Sequence, residues 1–235
     1  MILVEAALAG RLSAVRGRIR TAAEAAGRDP NEITLIAVSK TQPIDVVDSV
    51  VAAGACDLGE NRVQEAQAKK IGVRVARWHL IGPLQRNKAR AALETFDVIH
   101  TVDRAEIADR LQYLLAQYWP ERVVEVLLEI NIGDEPQKAG VRPERARALL
   151  DAVRVHDRLA IRGLMVIPPF ATEPEVSRPY FRSLRELRDR LQDETGHQLP
   201  ELSMGMSHDF EIAVAEGATL VRVGTAIFGL RVSRG

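Results

Sequence analysis

One cysteine, Cys56, stands in 235 residues. That excludes an internal disulfide framework and any thiolate-rich metal centre. Its neighbours in "AAGACDLGE" are small, which predicts a buried structural thiol. An excess of either charge is also missing, since Lys plus Arg and Asp plus Glu number 32 each. Nothing in the composition pulls the chain toward nucleic acid or a membrane surface, so a small-molecule partner gains weight. Long apolar runs are absent as well. No stretch approaches the roughly 18 to 20 residues that span a bilayer, and "MILVEAALAGRLSAVRGRIR" is broken by Glu5 and Arg11, unlike a signal peptide. A complete, cytoplasmic chain is the expectation. No His, Cys or carboxylate cluster has metal-ligand spacing, and neither "HExxH" nor a P-loop occurs, so no metal is expected.

What is present is ordinary for a globular protein: 46% apolar and 27% charged residues. The length suits one large domain or two small ones with a substantial core. Leu8, Leu12, Val15 and Ile19 recur at helical spacing and predict an amphipathic helix over residues 3–26, ending near Gly27. Beyond it, eight short apolar runs read as strands: 33–40, 56–60, 77–82, 98–102, 123–131, 160–167, 201–205 and 219–223. Helix-like stretches alternate with them at 44–53, 62–70, 104–117, 144–154, 175–194 and 208–216, with a weaker pattern at 86–94. Asp103 and Ser207 stand where caps would begin two of these.

Alternation without hairpin turns argues for parallel strands joined by helical crossovers. An open doubly wound sheet shows the same alternation. Eight strands match the count of a (β/α)8 TIM barrel, here with an extra N-terminal helix, and no linker or composition shift divides residues 1–235. The expectation is therefore a single barrel domain.

Function in such barrels gathers at the C-terminal strand ends. Lys40 closes the apolar run "LIAVSK". It is either a solvated cation or an amine whose pKa is lowered by desolvating walls, and such an amine can form an imine with an aldehyde. Ser203, Ser207, Gly224 and Thr225 gather in "LSMGMSHDFEIAVAEGATLVRVGTAIFG", after strands seven and eight, where these barrels often bind phosphate. Ser207 as a mere helix cap and Gly224 as a mere turn are the plainer readings. Arg222 lies between Val221 and Val223 and needs a partner, either an internal carboxylate or a ligand atom. His79 and His100 read as satisfied core histidines.

Taken in order, "AVSKTQP", "GENRVQEAQAK", "WHLIGPLQRNK", "INIGDEPQKAG", "GLMVIPP", "LSMGMSHDFEIAVAEG" and "VRVGTAIFG" resemble the YggS/PROSC family of pyridoxal 5'-phosphate-binding proteins, across residues 8–231. The resemblance implies a barrel like the N-terminal domain of alanine racemase and a Schiff base between Lys40 and the cofactor. It implies that Ser207, Gly224 and Thr225 hold the phosphate and that Arg222, fifteen residues after Ser207, faces the pyridine nitrogen. Lys138 would lie near the ring hydroxyl and Met165 against the ring. Asn61, His79 and Ser203 belong to the matching motifs and are further cofactor-binding candidates.

An arginine does not readily give up its proton, so the pyridine would stay unprotonated and be a weaker electron sink. Racemases of this kind also need a second base, a tyrosine. The three tyrosines, Tyr113, Tyr118 and Tyr180, fall in or beside helical stretches, and no C-terminal β-domain follows the barrel motif. The resemblance therefore implies a carrier serving vitamin B6 homeostasis, with apo pyridoxal phosphate enzymes as partners and a monomeric state. A weak amino-acid enzyme and a Schiff-base aldolase are the alternatives.

Overall fold

The computed structural model describes residues 2–229, with side chains from residue 5 onward. Its strands are β1 (Thr34–Val38), β2 (Asp57–Glu60), β3 (Arg77–Leu80), β4 (Val98–Val102), β5 (Val124–Glu129), β6 (Leu159–Met165), β7 (Glu201–Ser203) and β8 (Leu220–Val223). They pair in chain order, each parallel to the next, and β8 returns to β1. This closure removes the open-sheet alternative.

Parallel neighbours require a crossover, and helices provide it. These are α2 (Ile44–Ala52), α3 (Val63–Lys70), α4 (Ala89–Thr95), α5 (Ala105–Tyr118), α6 (Ala146–Val153), α7 (Arg178–Thr195) and α8 (Phe210–Ala215), with α9 (Thr225–Phe228) after the last strand. Ahead of the barrel runs α1 (Ile2–Ala25). Its Leu8, Leu12, Val15, Ile19 and Ala23 are buried against α8, α9 and α2. Each such aliphatic side chain contributes about 1.5–3 kcal/mol by leaving water. With only six and four residues, α8 and α9 cover little of the barrel. Arg11 fastens α1 there by donating to the Ile227 carbonyl at 2.6 Å, and Arg28 donates to the Val214 and Ala218 carbonyls, both at 2.8 Å.

Alternation along the strands sends one set of side chains outward to the helices and the other into the barrel. Ile36, Val98, Leu127, Met165 and Leu220 form a small apolar cluster of their own inside. Other interior positions carry polar side chains, His79, His100, Ser203 and Arg222 among them, and the site is built on these.

Three sequence readings need correction. Cys56 is exposed, because it precedes β2 at the N-terminal rim of the barrel and does not lie beneath a helix. Asp103 does not cap α5, which starts after Arg104; its carboxylate instead takes the Arg104 guanidinium at 2.6 Å. Ser207 does not cap α8 either, since the cap position belongs to Asp209. The Asp209 carboxylate accepts the Met206 N–H at 2.7 Å and the Ser177 hydroxyl at 2.9 Å, which fixes the turn before the helix.

Candidate functional site

Lys40 lies two residues past the end of β1, half-buried on a tight turn. The backbone on both sides of it is pinned from below. Ser39 Oγ donates to Glu60 Oε1 at 2.6 Å, and the Thr41 N–H donates to Glu65. Beneath them Lys69 Nζ, on a side chain only 5% exposed, donates to the Ser39 carbonyl, Glu60 Oε1 and Glu65 Oε1, each at 2.7 Å. Burial pushes the Glu60 carboxyl above its usual range against the hydrogen bonds from Lys69 and Ser39. For Glu65 burial acts the same way, but Lys69 and the Thr41 N–H outweigh it and hold the carboxyl low. Thr41 has φ +66, a left-handed conformation uncommon for a β-branched residue. Glu60, Glu65 and Lys69 thus hold a strained turn and fix the backbone on either side of Lys40.

Arg222, third in β8, is 3% exposed and points inward. Its partners are neutral: Nη1 donates to Ser203 Oγ at 2.6 Å, and Nη2 to the Val166 carbonyl at 2.8 Å. Burial lowers its pKa to about 10, opposed by Asp209 and Glu129. A guanidinium has five N–H donors, so this one keeps capacity for a ligand. Ser203 Oγ also lies 2.9 Å from His100 Nδ1, His100 Nε2 lies 2.9 Å from His79 Nδ1, and His79 Nε2 lies 2.9 Å from Asp57 Oδ1. His79 is 1% exposed with both ring nitrogens engaged. The structure thus places His79 and Ser203 behind Arg222, not at the mouth.

The Ser207 hydroxyl oxygen accepts the N–H groups of Gly224 at 3.1 Å and Ala226 at 3.3 Å. Two donors therefore converge at the β8 exit, where Thr225 is exposed. At Gly224 an added Cβ would come within 3.3 Å of the Val38 carbonyl, so glycine lets this exit lie close against β1. Asn61 follows β2 half-buried, and its backbone would sit 2.4 Å from a Cβ at residue 82, which makes Gly82 necessary for that loop contact. Lys138 donates to the Pro168 carbonyl at 3.0 Å and pairs with Glu135. The Asn131 side chain ties this loop through both backbone groups of Glu135. Met165 is fully buried within the barrel's inner apolar cluster. The structure therefore gathers Lys40, Ser207, Arg222, Gly224 and Thr225 around the adjoining β1 and β8 ends, with Asn61 on the loop after neighbouring β2 and Lys138 across the barrel on the loop after β5.

Sequence reasoning missed five participants: Glu129, Lys69, Glu65, Glu60 and Asp57. Glu129, the last residue of β5, is buried with Oε2 lacking a hydrogen-bond partner. Burial, then Asp103, raises its pKa to about 7 against the pull of Arg222. Its place at a strand end was the available signal. Lys69 and Glu65 look like a surface pair at helical spacing, with no hint of the buried Glu60 between them. Asp57 opens an apolar strand, which marks an inward charge in need of a partner. Among the described residues no group of three His, Cys, Asp or Glu side chains is arranged to hold a metal ion.

These residues fit a phosphorylated pyridine aldehyde. An amine stands on a fixed turn, a guanidinium retains free donors, and the Ser207 hydroxyl, which accepts the Gly224 and Ala226 N–H groups, keeps its own proton to offer a phosphate.

Known proteins agree with this chemistry. Residues 11–232 match the family described as alanine racemase, N-terminal domain. A pyridoxal phosphate homeostasis protein of Aquifex aeolicus is 45% identical over 223 residues, covering 94% of this chain and 97% of its own. One of Escherichia coli K12 is 42% identical over 233 residues, covering 95% and 97%. PipY of Synechococcus elongatus, in a structure with PLP bound, has a TM-score of 0.83 at 39% identity and covers 94% of this chain and 100% of its own. The chain belongs to the alanine racemase N-terminal domain family and, within it, to the pyridoxal phosphate homeostasis proteins.

Proposed function

We propose that the chain binds pyridoxal 5'-phosphate covalently through Lys40 and serves the intracellular supply and homeostasis of that cofactor, without robust turnover of a substrate. The observation that carries this reading is the convergence of the pinned Lys40 turn, the donor-rich Arg222 and the Ser207–Gly224–Ala226 cluster on two adjoining strands. The names of the relatives and the bound PLP in PipY support it. When bound, the cofactor supplies a reactive aldehyde and an electron-withdrawing ring.

Lys40 supplies the amine that condenses with the aldehyde. Ser207, Gly224 and Thr225 hold the phosphate, and Lys138, Asn61 and Met165 border the ring. Arg222 donates to the pyridine nitrogen and keeps it unprotonated, which limits carbanion chemistry. Tyr113 and Tyr118 lie on α5 and Tyr180 on α7, in the outer helical ring, so no tyrosine stands across from Lys40 at the strand ends. That supports a carrier over a racemase.

Residues 1–235 act as one unit in this reading, monomeric and cytoplasmic, passing cofactor to apo enzymes and binding neither nucleic acid nor membrane. Among the described residues no helix is long and apolar enough to cross a membrane. A second reading, an amino-acid enzyme of low activity, draws on Glu129, a carboxyl beside Arg222 that titrates near neutrality.

Absorbance titration of the purified protein with pyridoxal phosphate tests the proposal. A visible band that forms with one equivalent and is lost in Lys40→Ala is expected, with no change in the optical activity of either enantiomer of common amino acids. A protein that stays colourless overturns cofactor binding. Steady loss of one enantiomer establishes the enzyme reading.

A further inference from the structure

Five polar side chains run through the barrel interior from mouth to floor: Arg222 on β8, Ser203 on β7, His100 on β4, His79 on β3 and Asp57 on β2. Apart from Asp57, whose side chain is 16% exposed, each is buried. Asp57 opens on a floor pocket shared with Arg16, Arg20, Asn31 and Cys56. The two ends of the chain fix its direction. A guanidinium only donates and a carboxylate only accepts. Arg222 therefore donates to Ser203 Oγ, and the Ser203 hydroxyl donates to His100 Nδ1. His100 Nε2–H then donates to His79 Nδ1, and His79 Nε2–H to Asp57. With both rings neutral, no other arrangement satisfies every contact, because the reverse direction would set a bare His79 Nε2 against the Asp57 carboxylate.

We propose that Ser203, His100, His79 and Asp57 form a one-directional positioning relay that locks the orientation of the Arg222 guanidinium from the barrel floor. The relay rests on the cofactor reading only for what Arg222 then contacts. Its physical effect is to offer Arg222 a lone pair on Ser203 and never a competing proton. The guanidinium plane is set by Ser203 and the Val166 carbonyl, and its remaining N–H groups stay available at the mouth.

The surroundings keep the His100 ring neutral. His100 faces His79, Arg222 and Arg77, and burial first, then these groups, holds its pKa well below the usual value. Arg77 is in turn paired with Glu125 on β5, and Arg222 faces Glu129 and Asp209. None of the four relay residues behind Arg222 is a catalytic group; each acts through its neighbour.

The test has two independent readouts. Long-range proton–nitrogen NMR of the imidazoles, in protein with and without pyridoxal phosphate, should show His79 and His100 both as Nε2–H tautomers at about pH 8. Asp57→Asn, which can donate as well as accept, should remove the single-tautomer signature of His79. A charged His79 or Nδ1–H tautomers in wild type would overturn the relay. The second readout is the bound-cofactor spectrum and release rate. Ser203→Ala should shift the band and speed release by about tenfold to a hundredfold, as loss of a hydrogen bond to a charged group does. Ser203→Thr, which keeps the hydroxyl, should restore both. An unchanged band and rate in a folded Ser203→Ala overturns the proposal. Should wild type take up no cofactor, the proposed function fails, while the tautomers of the unloaded protein still decide the relay.

Discussion

Glu129 Oε2 is buried at the end of β5 without a hydrogen-bond partner, and that single atom gives the folded protein a pH dependence. Burial and Asp103 raise the carboxyl to about 7. Below the usual carboxylate range, under about pH 3.5, it is protonated folded and unfolded and costs nothing. As pH rises, the unfolded chain ionises first, so stability is lost until the folded group ionises near pH 7. The loss amounts to at most about 3 kcal/mol. Glu129→Gln should therefore flatten the stability profile between about pH 4.5 and about pH 7. Urea unfolding of cofactor-free protein at several pH values checks it, and an unchanged slope would assign the pH dependence to other groups. Arg222 shows the opposite solution to burial: its charge rests on a hydroxyl and a carbonyl, and its remaining donors stay open.

Among the elements, the segment joining β1 to α2 depends on a lysine other than Lys40. Lys69 in α3 holds the Ser39 carbonyl, Glu60 in β2 and Glu65 in its own helix. Lys69→Met removes the cation and leaves Glu60 buried without it. Breaking such a pair costs about 3–5 kcal/mol, and the Lys40 turn should loosen with it. The expected outcome is a lower urea midpoint together with weaker retention of pyridoxal phosphate; a midpoint within error of wild type would show that the network contributes no net stability. Little of this could be read from sequence. The strand and helix alternation was legible because apolar runs and Gly or Pro breaks recur at regular intervals, as "VIHTV" and Val98–Val102 illustrate. The two caps were not. Asp103 and Ser207 carry the right residue types, yet other partners claimed them: the adjacent Arg104 for one, the distant Gly224 and Ala226 N–H groups for the other.

At the scale of the whole molecule, barrel closure brings β8 beside β1 and so sets Arg222 level with Ile36, beneath the Lys40 turn. The strand count foretold the barrel, and the strand-end rule pointed to Lys40, Ser207, Arg222 and Gly224. The His79 motif sits at a strand end, while its ring engages His100 and the floor carboxylate of Asp57. Membership of side chains in the interior relay depends on which strands become neighbours across the barrel, and period-two alternation alone does not say that. The central claim is that Lys40 is the covalent anchor. Borohydride reduction of the wild-type protein with pyridoxal phosphate, followed by digestion and mass spectrometry, tests it most directly. The pyridoxyl mass is expected on the peptide bearing Lys40; finding it on another lysine, or on no peptide at all, would contradict the account.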